Sequence, residues 1–445
     1  MKYTEKIDIK KIGVNGEGIG FLNKKPVFVD QTLPHETVEV TIQYENPKMM
    51  KATLEHIIKP ARERIIPKCP YFVSCGGCDL QHINYSDGLF YKKQHLIQSL
   101  KKYMDASFDE LLVLDYDITR KPFEYRNKAQ LPIRRYQGKN LFGLYMRGTN
   151  KFLPIKHCDV HHPLINKVFQ RTMELMLEYN VPAYDSQNRK GLIKGMMVRV
   201  GHTTDEIQIV ILKAKPNNIS QLIRVITKHI PSVISVYETI SKDHKSQDYI
   251  NETTTNVYGK ETINATLNGY TYSLYPDAFF QLNSIVAESF YEYMIKAARL
   301  KSSDTILDAY SGAATISHIA SRYIKKGYAV DDNTGATHSA RQSLQRHHID
   351  NIKVITGDAY QVYKKMKMHM NVVFFDPPRT GLGKRMIDLI SFKKPEKIIY
   401  ASCNPSTLSK DLKLLSQHYE IISIKPFDMF PQTAQIESVT VLQKK

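Results

Sequence analysis

The sequence has no tryptophan, only five cysteines among 445 residues, and no long hydrophobic run. Sparse cysteine argues against a disulfide framework and for a reducing compartment. The longest apolar stretches, such as Ile207–Leu212 and Val372–Phe375, are far too short to span a bilayer. The amino terminus carries charges throughout and has no apolar core, unlike a secretory signal. We therefore expect a cytoplasmic protein with no membrane partner.

Acidic residues are also fewer than basic residues. Lys and Arg total 62 against 44 Asp and Glu, giving a formal net charge of +18. A polyanion is the partner that such an excess favours, because neutralising phosphates releases condensed counterions. Solubility alone is the alternative explanation. No exposed apolar helix or strand stands out as an interface, so we expect a monomer.

The length and the patterning together predict three parts. A chain of 445 residues exceeds what one hydrophobic core usually serves. Residues 1–59 contain short β-prone runs separated by turns, which predict a small closed, OB-like barrel. Residues 60–275 show mixed α and β patterns, including a predicted helix at Leu89–Tyr103. From 276 to 445 strands and helices alternate, which is typical of a doubly wound α/β sheet with ligands beyond the carboxyl ends of its strands.

Acidic residues follow several of the predicted strands in this last part. Asp331 ends the second strand, where a carboxylate can accept hydrogen bonds from two ribose hydroxyls. Asp358 follows the third strand and is placed to meet an adenine amino group. Asp376 precedes two prolines that fix the backbone and hold its carboxylate in one orientation. For Asp376 the structural alternative is a proline-terminated strand with an ordinary capping carboxylate, and for the loop at Asp308–Thr315 it is an ordinary turn.

A cysteine and a glutamate complete the candidate chemistry. Cys403 ends the fifth predicted strand, in the segment Ser-Cys-Asn-Pro, and a helix is expected to begin near Ser406. A thiol becomes a stronger nucleophile when a helix N-terminus stabilises its thiolate. Glu437 opens the last predicted strand, from which its carboxylate can reach the same crevice. The alternatives are a buried inert thiol and a surface carboxylate on an edge strand.

Several motifs occur in a characteristic order along the chain. They are Phe280-Gln281-Leu282-Asn283, Asp308–Thr315, Asp376-Pro377-Pro378-Arg379, Ser402-Cys403-Asn404-Pro405 and Met429–Glu437. Together they resemble the RNA 5-methyluridine methyltransferase family over essentially the whole chain. The resemblance implies a TRAM domain at 1–59, a central iron–sulfur and RNA-binding domain at 60–275, and a Rossmann-like class I methyltransferase domain at 276–445.

The resemblance also implies roles for individual residues. Cys403 is the expected nucleophile, which adds to C6 of a uracil, and Glu437 is the expected base, which removes the C5 proton after methyl transfer. The methyl donor is S-adenosylmethionine. Its expected contacts are Gln281, Tyr310, Thr315, Asp331, Asp358 and Asp376.

The donor loop departs from the family pattern. A cysteine is common in the family where Ser311 stands, and a glycine is usual at Ala314. The segment Asp331–Gly335 lacks the customary apolar residue and proline. An alanine at 314 would be strained if the loop needs a positive φ there. These departures motivate a second hypothesis, in which the protein is a non-catalytic RNA-binding or ribosome-assembly factor with a weakened donor pocket. Methylation of DNA cytosine is disfavoured by the TRAM-like module and the basic surface.

The remaining four cysteines suggest a metal site. Cys69, Cys75 and Cys78 form a Cys-x5-Cys-x2-Cys set, and Cys158 lies far downstream. Four thiolates suit either a tetrahedral zinc or an iron–sulfur cluster. The set resembles the [4Fe–4S] site of the ribosomal-RNA branch of the family, which favours 23S ribosomal RNA as the substrate over transfer RNA. Methyl transfer needs no electron, so the cluster is expected to be structural.

A basic and aromatic stretch is the expected RNA-binding surface. It contains Arg126-Asn127-Lys128 and Arg134-Arg135-Tyr136, with Phe123 and Tyr125 nearby. Such surfaces bind phosphates while bases stack on the rings, as single-stranded RNA requires. A solvated charged face is the alternative. The target base must leave its stack to reach a thiol, so we expect a flipped uridine in a loop or an unpaired region.

Overall fold

A computed structural model describes residues 3–105, 108–119, 121–243 and 248–445. The chain begins with a closed five-stranded barrel in the order β1-β2-β3-β5-β4. The strands are β1 (Tyr3–Ile12), β2 (Gly18–Leu22), β3 (Lys25–Val29), β4 (Thr37–Glu45) and β5 (Met50–Lys59). The small barrel predicted from the sequence is therefore confirmed.

Alternation of apolar and polar residues fills the barrel. In β4 the side chains of Val38, Val40 and Ile42 are buried while their neighbours face outward, as the two-residue period of a strand requires. β2 lies so close to the rest of the barrel that only glycine fits at two positions. A Cβ at Gly18 would lie 2.0 Å from Thr32 Oγ1, and one at Gly20 would lie 2.3 Å from a methyl carbon of Ile7.

The central region is built on a seven-stranded sheet in the order β12-β11-β10-β9-β6-β7-β8. An irregular segment that carries three of the cysteines precedes it. The elements are α1 (Tyr85–Tyr103), β6 (Lys128–Tyr136), β7 (Lys139–Tyr145), β8 (Phe152–Pro154), α2 (Pro163–Glu178), β9 (Ile193–Val200), β10 (Ile207–Lys213), α3 (Ser220–His229), β11 (Val233–Ile240) and β12 (Thr255–Gly259). A hairpin of β13 (Ile263–Leu267) and β14 (Tyr270–Leu274) leads into the last domain.

The last domain contains a second seven-stranded sheet, in the order β17-β16-β15-β18-β19-β21-β20. β15 to β19 are parallel, and β21 lies antiparallel between β19 and β20. The sequence predicts the parallel strands but not this insertion. The elements are α4 (Ser284–Ala298), β15 (Thr305–Ala309), α5 (Thr315–Ala320), β16 (Lys326–Asp331), α6 (Thr334–Arg346), β17 (Ile352–Thr356), α7 (Ala359–Lys365), β18 (Val372–Phe375), α8 (Gly383–Lys393), β19 (Lys397–Ser402), α9 (Pro405–Leu415), β20 (Tyr419–Phe427) and β21 (Glu437–Lys444).

Helix α1 packs on this last domain although it precedes the central sheet in the chain. Leu96 and Leu100 are fully buried in the same apolar cluster as Leu408 and Leu412 of α9. The Ser409 hydroxyl donates a hydrogen bond of 2.9 Å to the Ser99 carbonyl oxygen. Within the described ranges, no helix is both long and apolar enough to cross a membrane.

A buried ion pair fixes α1 against the segment between β20 and β21. Lys92 Nζ lies 2.6 Å from Asp428 Oδ1, and their side chains are only 4% and 1% exposed. Lys92 also donates to the Phe430 carbonyl oxygen at 3.2 Å, while the Tyr85 hydroxyl donates to Asp428 Oδ2 at 2.7 Å. Both carboxylate oxygens are thus hydrogen-bonded, which is the condition for burying such a charge.

We expect Lys92→Met to lower the free energy of unfolding by about 3 to 5 kcal/mol, because it leaves the Asp428 carboxylate buried without its cation. Lys384→Met is the matched control. It breaks the ion pair between Lys384 and Asp388, whose side chains are 77% and 61% exposed. The free energy of unfolding should therefore fall by less than about 1 kcal/mol. Urea unfolding of both variants measures the difference. Equal losses would show that the buried pair does not hold the two segments together.

Candidate active site

Cys403 lies directly after β19, at the carboxyl edge of the parallel strands and immediately before α9. A cavity of about 350 Å³ opens beside it. Its walls come from six separate parts of the chain: the barrel, the segment before α1, α1 itself, the segment before α8, the junction of β19 and α9, and the segment before β21. Cys403 shares this cavity with Val14, Asn15, His95, Arg379, Gln435 and Ile436.

The strand register brings two carboxylates to the same edge. Ser402 of β19 pairs with Ser438 of β21 in an antiparallel ladder, so Cys403 and Glu437 stand opposite each other one residue further along. Asp376 follows β18, which is the parallel neighbour of β19 on its other side. β21 has neighbours on both sides, so Glu437 is not on an edge strand.

The pKa values of the thiol and of both carboxylates are raised, chiefly by burial. Burial, followed by the charges of Glu437 and Asp376, raises the pKa of the Cys403 thiol to about 11, and Arg379 opposes this. Burial and Asp376 hold the pKa of Glu437 well above its usual range. Burial raises the pKa of Asp376 to about 6. At neutral pH the thiol of the free protein is therefore protonated.

The expected activation of the thiol by a helix N-terminus is not observed. α9 begins at Pro405, close to the predicted position, but proline has no amide hydrogen. The next amide, of Ser406, donates to Asn404 Oδ1 at 3.0 Å. Burial and the charges of two nearby carboxylates hold the pKa of the thiol above rather than below its ordinary value.

The loop between β15 and α5 is strained. Tyr310, Gly312 and Ala314 have φ angles of 62°, 53° and 61°. Asp331 at the end of β16 braces this loop, since its Oδ2 accepts a hydrogen bond of 2.8 Å from the Gly312 amide. Ala314 is fully buried. The positive φ that would strain an alanine at 314 is therefore present, and the side chain has no room to relax.

Three of the residues expected to contact the donor gather around a tyrosine that the sequence analysis missed. The Tyr291 side chain, on α4, contacts those of Gln281 and Thr315 and lies near Asp376. Burial first, then Asp376, raises the pKa of Tyr291 well above its usual range. Its helical spacing with Ala287 and Met294 made it look like an ordinary core residue, so only the fold reveals its neighbours.

Asp358 and Tyr310 lie near each other. Asp358 caps α7, because its Oδ1 accepts a hydrogen bond of 2.9 Å from the Gln361 amide. Burial, then the charges of Asp358 and Asp332, raises the pKa of Tyr310. One oxygen of Asp358 thus caps the helix.

The four other cysteines line a second cavity, of about 120 Å³, and none is disulfide-bonded. Burial raises the pKa of Cys78 to about 12 and that of Cys158 to about 11. Across the described residues, no group of three or more His, Cys, Asp or Glu side chains is placed to hold a metal ion. The donor set, four thiols around one cavity, nevertheless has the composition that an iron–sulfur cluster requires.

Part of the expected RNA-binding surface is structural instead. Tyr125 is buried and donates a hydrogen bond of 3.1 Å to the Pro431 carbonyl oxygen, so its ring does not face solvent. The side-chain nitrogen Nδ2 of Asn127 donates hydrogen bonds to the Gln281 carbonyl oxygen and to Ser284 Oγ, both at 2.9 Å. Arg135 and Tyr136 are exposed.

The sheet order, the antiparallel β21 and the acidic residues at the strand ends define a class I S-adenosylmethionine-dependent methyltransferase fold. Residues 91–445 match the family model described as tRNA (Uracil-5-)-methyltransferase. An uncharacterized RNA methyltransferase of Enterococcus faecalis is 34% identical over 99% of this chain and 97% of its own length. One of Listeria innocua is 33% identical, covering 99% and 97%.

A solved structure is similar over nearly the full length. It is the tRNA (uracil-54, C5)-methyltransferase of Pyrococcus abyssi in complex with S-adenosyl-L-homocysteine. Its TM-score is 0.75 at 25% identity, with 98% of this chain and 99% of that chain covered. The chain belongs to the RNA uracil-5-methyltransferase family and is S-adenosylmethionine-dependent.

Ala314→Gly should raise the free energy of unfolding by about 1 kcal/mol, because it removes a Cβ from a left-handed backbone. It should also tighten S-adenosylmethionine binding, measured by calorimetry. Ala313→Gly is the control, because Ala313 is buried in the same loop without a positive φ. Glycine at 313 should lower the free energy of unfolding by about 0.4 to 1 kcal/mol. If both variants lose stability alike, the loop is not strained at 314.

Proposed function

We propose that the protein transfers a methyl group from S-adenosylmethionine to C5 of a uridine in 23S ribosomal RNA, through a covalent bond between Cys403 and C6. The observation that carries this proposal is the β19–β21 register, which sets Cys403 and Glu437 opposite each other at the strand ends. A nucleophile and a base that act on adjacent ring carbons need this proximity.

In the proposed reaction Cys403 and Glu437 each have one role. The Cys403 thiol releases its proton to solvent, the thiolate adds to C6 of the flipped uracil, and the electron pair displaced from the C5–C6 bond increases the nucleophilicity of C5. Bound S-adenosylmethionine would supply an electrophilic methyl group: C5 takes this methyl, the sulfonium carbon–sulfur bond breaks, and the donor leaves as S-adenosylhomocysteine. Glu437 then removes the C5 proton, and elimination restores the C5–C6 double bond and releases the thiolate. The donor is proposed to be held by Gln281, Tyr310, Thr315, Asp331, Asp358 and Asp376.

Two substitutions test the roles of the nucleophile and the base. Cys403→Ala should abolish transfer of label from S-adenosylmethionine to unmodified 23S transcript, because no C6 adduct forms. Glu437→Gln should instead accumulate a methylated, covalent protein–RNA complex that survives denaturing electrophoresis, since elimination needs the proton removed. Circular dichroism controls for folding. Transfer by folded Cys403→Ala protein would contradict the assignment.

The RNA substrate has two candidates. The four-cysteine set resembles that of the ribosomal-RNA branch and favours 23S RNA, whereas the solved relative from Pyrococcus abyssi is named for uracil 54 of transfer RNA. Methylation of unmodified 23S and transfer-RNA transcripts in one competition assay distinguishes them. A preference for transfer RNA would overturn the ribosomal assignment and leave the chemistry intact.

A non-catalytic RNA-binding or assembly factor is the second candidate function. The observation in its favour is the strained, buried Ala314 in the donor loop. Calorimetry distinguishes the two functions, because a methyltransferase must bind S-adenosylmethionine measurably. RNA binding without donor binding, in folded protein, would favour the factor.

The proposal includes a structural [4Fe–4S] cluster on Cys69, Cys75, Cys78 and Cys158. The support is that these thiols share one cavity and are not disulfide-bonded. In a cluster each thiolate binds a different iron atom, whereas a zinc ion draws all four sulfurs to about 2.3 Å from one point. Four thiols lining one cavity supply the donor set that such a cluster needs.

Protein purified without oxygen should contain about four iron and four sulfide per chain and no stoichiometric zinc. Cys78→Ser should lose this iron and lower the melting temperature, because a ligand is missing. Cys403→Ser is the matched control and should keep the cluster, since its thiol lies in the other cavity. One zinc per chain and no iron would contradict the cluster.

A further inference from the structure

The cavity beside Cys403 contains a histidine that the proposed chemistry does not use. His95 of α1 lines the same cavity as Cys403 and Arg379. Its Nε2 is buried and has no hydrogen-bond partner in the part of the chain that the structure describes. Burial lowers the pKa of His95, so the imidazole is neutral at pH 7 and offers one donor and one acceptor.

The position of His95 is fixed by its helix. Lys92, one turn before it, forms the buried ion pair with Asp428, and Ser99, one turn after it, accepts the hydrogen bond from Ser409. Residues three and four apart share a helix face, so His95 lies on the face of α1 that meets the last domain. The helical turns before and after His95 are thus held by contacts with the last domain. Moving the His95 ring to reach another protein partner would disturb these contacts.

An unpartnered buried ring nitrogen is destabilising and calls for an explanation. The other walls indicate what supplies its partner. Arg379 is exposed and positively charged, which suits a phosphate, while Val14 and the buried Ile436 offer apolar contacts for a base. Such a mixture of cationic, polar and apolar groups matches a nucleotide.

We propose that His95 contacts the substrate and hydrogen-bonds the target nucleotide when RNA fills the cavity beside Cys403. This inference rests on the proposed function, because it takes a uridine at Cys403 as the occupant. It adds a third protein group to the nucleotide site, one supplied by α1 rather than by the strand ends. In the free protein this position leaves His95 Nε2 buried, with no hydrogen-bond partner among the described residues.

The decisive variant is His95→Phe, which keeps a planar ring and removes both nitrogens. We expect kcat/KM for RNA to fall at least tenfold, while affinity for S-adenosylmethionine stays within twofold of the wild type. The melting temperature should stay the same or rise, because an unsatisfied buried atom is gone. His95→Gln, whose amide can donate and accept, should recover part of the lost activity.

A control variant separates substrate contact from general damage. His202, in the turn between β9 and β10, is half-buried, and burial lowers its pKa too, but it lies outside the cavity. His202→Phe should leave methyl transfer within twofold. The proposal is wrong if His95→Phe is equally active, or if its melting temperature and donor affinity fall together with its activity, since those losses indicate a structural role.

Failure of the proposed function is distinguishable from failure of this inference. Wild-type protein that transfers no methyl group to either RNA would refute the enzyme assignment. The affinity of His95→Phe for 23S transcript, measured by filter binding, still tests the contact in that case. An affinity at least tenfold weaker than the wild type supports the contact, and an unchanged affinity overturns it.

Discussion

The buried ion pair between Lys92 and Asp428 is the contact on which the assembly of the site depends. It joins residues that are 336 positions apart in the sequence. The segment after Asp428 leads directly to Glu437, so the helix that carries Lys92 determines where the expected base begins its strand. A buried carboxylate with both oxygens hydrogen-bonded has few other low-energy arrangements, which fixes this segment.

The same segment also joins the barrel and the cysteine-containing region. The amides of Asp79 and Leu80 donate to the Gln432 carbonyl oxygen at 2.9 and 3.0 Å, and Asp79 Oδ2 accepts from the Ala434 amide. A Cβ at Gly16 of the barrel would lie 2.7 Å from Asp79 Cβ. Asp79 directly follows Cys78, so a cluster in the second cavity would stabilise the wall of the first without taking part in its chemistry.

Local features of the sequence predicted local features of the fold. β18 coincides with the apolar stretch Val372–Phe375, because a strand buried on both faces forms an unbroken apolar run. β2 is not apparent from the sequence, since its glycines, required by close packing, resemble a turn. The raised pKa of Cys403 and the position of His95 could not be predicted, because both arise from groups brought together only by the fold.

The crevice holds more potential negative charge than one cation can balance. The charges of Glu437 and Asp376 oppose ionisation of Cys403, that of Asp376 opposes ionisation of Glu437, and Arg379 favours ionisation of both Cys403 and Glu437. In the proposed reaction the two negative charges are needed at different times. A thiolate is required first, and once it is bound to C6 as a neutral thioether it no longer opposes ionisation of Glu437. The carboxylate thus becomes easier to ionise at the step that requires a base.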